Sequence, residues 1–133
     1  MGEIRLYAGG LSSSSLSVIA PFIRSNVTIN NVTTLRIQAD SLGDGGFFVV
    51  PFDGYIVSMS VSWRNFNRNF DMNIYVNGPL VHTELSTAAN QLLVFAAPVP
   101  VLAGDLINMD MAENPEGTGS NNDVYCGLLI VGV

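Results

Sequence analysis

FFVVPFDGYIVSMSVSW, residues Phe47 to Trp63, carries the strictest period-two pattern in the chain. From Tyr55 onward the odd positions Tyr55, Val57, Met59, Val61 and Trp63 are apolar, whereas Ser58, Ser60, Ser62 and Arg64 are polar. Successive side chains of a strand point to opposite faces, so this alternation predicts a strand with one buried face, Ile56 alone being out of phase. Just upstream, Pro51 removes a backbone donor and Asp53-Gly54 supplies turn chemistry, which predicts a corner between Phe47–Val50 and the long strand.

Composition sets what that corner belongs to. The chain has 133 residues, enough for one domain with a full core. Hydrophobic residues make up 48% and charged residues only 12%, so polarity rests on Asn, Ser and Thr, as on a β-protein surface. There is no lysine, and five arginines face eleven carboxylates for a net charge of −6. That balance repels phosphate backbones and argues against nucleic acid as a partner. The lone Cys126 has no partner for an internal disulfide and reads as a small buried hydrophobe. The apolar tracts Leu92–Ala103 and Cys126–Val133 are too short to span a bilayer, and no signal-peptide pattern is visible, so no membrane partner is expected.

Residues 1–25 read as an N-terminal arm: a short strand at Glu3–Tyr7, a break at Gly9-Gly10, a serine run at Ser12–Ser15, and an apolar stretch around Pro21. Either these pieces are the domain's first strands, or the arm docks on another chain by strand addition through Ile4, Leu6, Tyr7, Leu11, Leu16, Val18, Ile19, Phe22 and Ile23. Residues 26–133 form the domain proper. Strands are predicted around Val27–Ile29 and Leu35–Ala39, then Phe70–Asn77 with its even positions buried, ended by the hairpin signal Asn77-Gly78. Pro79 confines Leu80–Leu85 to an edge strand or an irregular return, Pro98 and Pro100 interrupt a strand that begins at Leu92, and Leu106–Met111 alternates cleanly. Val124–Val133 is apolar on both faces, as in a central strand covered on both sides. Eight to ten short strands without helical periodicity predict an all-β fold, an antiparallel β-sandwich or jelly roll.

Three motifs in order resemble the complement and tumour-necrosis-factor type of jelly roll: Pro51-Phe52-Asp53-Gly54-Tyr55-Ile56 before a serine-alternating strand, the turn Leu102-Ala103-Gly104-Asp105-Leu106-Ile107, and the closing Tyr125-Cys126-Gly127-Leu128-Leu129-Ile130. The resemblance covers about Leu35 to Val133 and implies a compact homotrimer whose aromatic residues are shared between subunits, with Tyr55, Phe70, Tyr75 and Tyr125 as candidates. The plainer alternative is that these rings fill each subunit's own core. Viral and bacterial branches of the family share this low-charge, Asn- and Ser-rich texture.

Catalytic chemistry is sparse. His82 is the only neutral-pH acid or base, and no nucleophile elbow or metal-binding histidine cluster accompanies it, so an enzyme is not expected and no cofactor is implied. Asp110, Glu113, Glu116 and Asp123 offer hard oxygen atoms to calcium, but at a spacing that matches no known loop motif. Arg64, Phe66 and Arg68 lie in one predicted loop, either an exposed binding loop for glycan or protein or an ordinary loop with Phe66 tucked onto the core. Two functions follow as expectations: a trimeric capsid decoration or cement protein on the virion surface, attached to the major capsid protein through its arm, or a receptor- or glycan-binding head of a phage fibre or spore filament.

Overall fold

The computed structural model describes residues 16–24, 28–29, 33–35, 46–114 and 119–133. They form eleven strands: β1 (Ser17–Arg24), β2 (Thr28–Ile29), β3 (Thr33–Thr34), β4 (Phe48–Val49), β5 (Gly54–Asn65), β6 (Phe70–Val76), β7 (Leu80–Ser86), β8 (Asn90–Val101), β9 (Leu106–Glu113), β10 (Gly119–Ser120) and β11 (Asn122–Gly132). Every pairing is antiparallel, and no helix forms among the described residues.

Two sheets face each other as an antiparallel β-sandwich. The first runs β1-β11-β5-β8; the second runs β9-β6-β7, with β3 and β4 pairing successive parts of the free side of β9. The chain crosses between layers between β1 and β3 and after β4, β5, β7, β8 and β9, so neighbours within the first sheet come from distant parts of the sequence. Each layer buries one face. β6 places Phe70, Met72 and Ile74 inward, β9 places Ile107, Met109 and Met111, and β11 places Val124, Cys126, Leu128 and Ile130. Full burial of one such side chain is worth about 1.5–3 kcal/mol. The Cys126 thiol lies 3.7 Å from the Met109 sulfur across the layers, and burial drives its pKa upward, so it is a packing group.

The long strand departs from the simple alternation in an instructive way. Met59, Val61 and Trp63 are buried as expected, yet Tyr55 is exposed and Ile56 is buried. On β11, Leu129 and Ile130 are consecutive, but their partners on β5 are Ser58 and Ile56, so Val57 is one residue extra. This bulge changes the phase of the strand and brings Ile56 onto the core face.

The turn motifs converge at one end. Gly104 donates to the Val50 carbonyl, Val50 donates to that of Asp105, and the Asp53 carboxylate accepts the Ala103 amide at 2.9 Å. Asn77, at φ 55, takes the Leu106 amide on its side-chain oxygen and donates to Asp105 at 2.9 Å. The corner, the Gly-Asp turn and the Asn-Gly hairpin thus form one hydrogen-bonded cap.

Pro79 does precede an edge strand, β7. Pro98 and Pro100 do not end β8; Pro98 sits where its pairing with β5 jumps from Val94 to Val99 and Pro100 lies opposite Tyr55, on a strand at the sheet edge where a missing amide is tolerated.

Candidate interaction face

The outward surfaces of the two sheets differ in chemistry, and β-strand register shows why. Across the first sheet the outward residues line up in four rows: Ser17, Val131, Tyr55, Pro100; Ile19, Leu129, Ser58, Val94; Pro21, Gly127, Ser60, Leu92; and Ile23, Tyr125, Ser62, Asn90. None of these positions carries a charge. Ile19 is 48% exposed, Tyr55 42%, Tyr125 40%, Leu92 65% and Val94 71%, the last two being the most exposed large hydrophobic residues described. The serines that defined the strand are therefore a narrow hydroxyl stripe inside an apolar surface. Gly127 keeps that surface flat: a Cβ there would meet the Tyr125 hydroxyl and an Ile19 methyl at 3.1 Å, so the Tyr125 side chain lies along its strand over the glycine.

The outward face of the second sheet carries a hydrogen-bonded polar cluster on β6 and β9, with exposed Leu85 and Leu106 beside it. Thr83 donates to Asn73, and Asn73 and the Tyr75 hydroxyl each donate to Asp110 at 2.8 Å. Asn114 donates to Asp71 at the end of the same face. Burial first, then the hydrogen bond and the charge of Asp110, push the Tyr75 pKa up to about 12. The folded state thus holds the phenol protonated, so this contact stabilises fully below the ordinary phenol pKa of about 10 and is lost as pH rises through about 12. A spectroscopic phenolate titration of the four tyrosines should lose its last step, near pH 12, in Tyr75→Phe. Loss of a step near the ordinary phenol pKa of about 10 instead would mean that Asp110 does not hold the Tyr75 proton.

The four aromatic interface candidates therefore separate. Tyr55 and Tyr125 lie on the apolar face, and Tyr75 lies on the opposite face against Asp110. Phe70 is fully buried and packs on Trp63 at 5.1 Å, so it is a core residue and not an interface residue.

The expected arm also divides. Ile4, Leu6, Tyr7 and Leu11 lie outside the described residues. Ser17–Arg24 is the edge strand β1, paired along its length with β11. Phe22 is fully buried in the chain's own core and is corrected from a partner contact to a packing residue, with Val18 packed against the same core. Leu16 and Ile19 are exposed, and Ile23 is half-buried on the outward side.

The Arg64–Arg68 loop is pinned rather than free. Asn121 accepts the Asn67 and Arg68 amides at 2.7 and 3.0 Å and donates to the Arg68 carbonyl. Phe66 packs back on the core beside Trp63, Arg64 pairs with Asp123 at 2.8 Å, and Arg68 pairs with buried Glu113 at 3.4 Å. Those pairings also scatter the proposed calcium ligands: Asp110 is outward on β9, Glu113 inward, and Asp123 on β11, while Glu116 lies outside the described residues. Among the described residues no three His, Cys, Asp or Glu side chains come together as a metal site.

His82 faces the interior at the seam between β7 and β8, stacked on Phe95 at 4.0 Å and bonded to Glu84 at 2.6 Å. Two residues past Glu84, on the same inward side, Ser86 accepts the Trp63 indole N–H at 3.0 Å. Sequence reasoning missed this seam, because inward polar residues on an edge strand look like a solvated face. No model of a known protein family matches the chain, and no curated protein matches it.

Proposed function

We propose that the chain is a structural subunit that assembles as a homotrimer, with the jelly-roll topology of the complement and tumour-necrosis-factor type, and that the trimer decorates the outside of a capsid. The observation that carries this reading is the uncharged apolar face of the first sheet. A surface on which Leu92 and Val94 stand 65% and 71% exposed is unfavourable in water, and contiguous patches of this kind are covered by a partner. Self-association fits best, because copies that each carry a net charge of −6 meet with least carboxylate repulsion through the four uncharged rows of this face. The sheet order β1-β11-β5-β8 against β9-β6-β7 supports the jelly-roll assignment, and the hydrogen-bonded cluster of Asn73, Tyr75, Thr83 and Asp110 on the second sheet suits a side turned to solvent. The decoration role rests on the family resemblance and on residues 1–15, which join the sandwich at β1, one edge of the apolar face.

Sedimentation equilibrium at micromolar concentration tests the assembly. The expected mass is three times the 14.2 kDa of one chain. A single-chain mass across the concentration range would remove the trimer and, with it, the family reading.

A further inference from the structure

Asn77-Gly78 is the one Asn-Gly pair in the chain. A glycine after asparagine leaves the next backbone nitrogen unshielded, because no side chain stands beside it. That nitrogen is then free to attack the side-chain carbonyl carbon. In the reaction the Gly78 nitrogen gives up its proton and bonds to Cγ of Asn77, Nδ2 leaves as ammonia, and a cyclic imide forms. Water then adds to one of the imide carbonyls and opens the ring to aspartate or isoaspartate. Water is consumed, ammonia is released, and nothing is oxidised.

The fold leaves the attacking group open and holds the attacked one. Asn77 and Gly78 are both exposed, and a Cβ placed on Gly78 would meet nothing within 4 Å. The Asn77 carboxamide, by contrast, is tied at both ends: Oδ1 accepts the Leu106 amide at 2.9 Å, and Nδ2 donates to Asp105 at 2.9 Å. The Asn77 backbone amide is also bonded to the Leu106 carbonyl, at 2.8 Å, from a left-handed conformation at φ 55.

We propose that Asn77 is a site of spontaneous deamidation gated by this cap. Ring closure swings Cγ away from the start of β9 and toward Gly78, so it gives up both carboxamide bonds; the closed cap keeps the amide, and each local opening exposes it to loss. The change is one-way, and it damages the cap that delayed it. Aspartate at position 77 sets a carboxylate against that of Asp105, where an N–H donor stood. Isoaspartate lengthens the main chain by a methylene at a hairpin closed by the Val76 amide on the Pro79 carbonyl at 3.1 Å. Asp105 also accepts the Leu102 amide on its carboxylate and the Val50 amide on its carbonyl, so the disturbance passes to the Gly-Asp turn and the strand before the corner. Older molecules therefore loosen first at this end of the sandwich.

The unaltered chain, folded and in denaturant, is incubated at neutral pH, and conversion of amide to acid at position 77 is followed by peptide mass mapping. Isomerisation at an Asp-Gly pair leaves the mass unchanged and is not counted. Conversion is expected in both samples, about tenfold slower in the folded chain, as freeing two exposed hydrogen bonds implies. Equal rates would overturn the gate, and an amide fully retained in the folded chain after the denatured chain has converted would overturn the site. In parallel, Asn77→Asp is expected to lower the melting temperature by about 5 °C. The double variant N77D/D105N exchanges donor and acceptor across the same contact and is expected to recover at least half of that loss. A double variant no more stable than Asn77→Asp alone would overturn the damage assigned to the cap.

Discussion

Gly54→Ala is expected to lower the melting temperature by about 15 °C, corresponding to about 4 kcal/mol for a domain of this size. The residue opens β5 from the Pro-Phe-Asp-Gly corner and is enclosed where the end of β11 crosses it. A Cβ there would stand 2.0 Å from the Val131 carbonyl oxygen and 2.9 Å from its carbon. Both obstacles are backbone, so no side-chain rotation relieves the overlap. Either β11 moves off β5, losing the last pairs of the central ladder, or the corner moves off the cap and breaks the Asp53 contacts to Ala103 and Val133. Gly104→Ala offers the contrast: nothing lies within 4 Å of its added Cβ, and only the left-handed backbone at φ 92 opposes it, a cost of about 1 kcal/mol. Thermal melts of the two variants, followed by circular dichroism, compare steric enclosure with backbone strain directly. Equal melting temperatures would refute the account of the corner.

The pair L92E/V94E is expected to convert the assembly to single chains with the fold intact. Both side chains are more than 60% exposed, so within one subunit the change touches no packing and should alter stability by no more than about 0.5 kcal/mol per site. In the proposed threefold assembly, however, it introduces two carboxylates per copy into the uncharged rows of the first sheet's face, among copies that are already acidic. The association constant should fall at least a hundredfold, about 2.7 kcal/mol per contact. The measurement is sedimentation velocity beside far-ultraviolet circular dichroism: loss of the trimer with an unchanged spectrum is the expected pair of results. A trimer that survives the double substitution would place the subunit contact on another face.

The fold class was legible in the sequence because period-two patterns in β6, β9 and the second half of β5 each answer to a single buried face. Ile56 looked like an exception to its strand, when it marks the phase change that the Val57 bulge introduces; a bulge adds one residue and leaves no compositional trace. β11 read as buried on both faces because Tyr125, Leu129 and Val131 are apolar, yet Tyr125 is partly in solvent, and sequence cannot distinguish a side covered within the subunit from one left for a neighbour. The face itself was half visible. Tyr55 and Tyr125 were singled out, but Leu92 and Val94 belonged to a run that resembled core, and only the register with Ser60 and Ser58 shows them pointing outward. Phe70 and Tyr75 were grouped with them by residue type, a criterion blind to which sheet carries a ring. Phe22 reads as part of a detachable arm because Gly9-Gly10 and the serine run Ser12–Ser15 upstream resemble a linker. Its partner, Cys126, lies more than a hundred residues away in the chain, beyond any local pattern.

The place of β11 in the first sheet bears on when this protein can fold. β11 is the last described strand to leave the ribosome, yet it lies between β1 and β5 and supplies the hydrogen bonds that join them. Until residue 132 has emerged, β1 has no described neighbour, and β5 can pair only with β8. A nascent chain therefore carries a first sheet reduced to the β5-β8 ribbon, with the second sheet's strands already made and the place of β11 beside β5 open, and non-local closure of this kind is slow compared with helix or hairpin formation. Closure of the first sheet therefore waits for β11, which is inserted into the gap between β1 and β5. The interval before that insertion is when the chain is most exposed to aggregation and most dependent on chaperones.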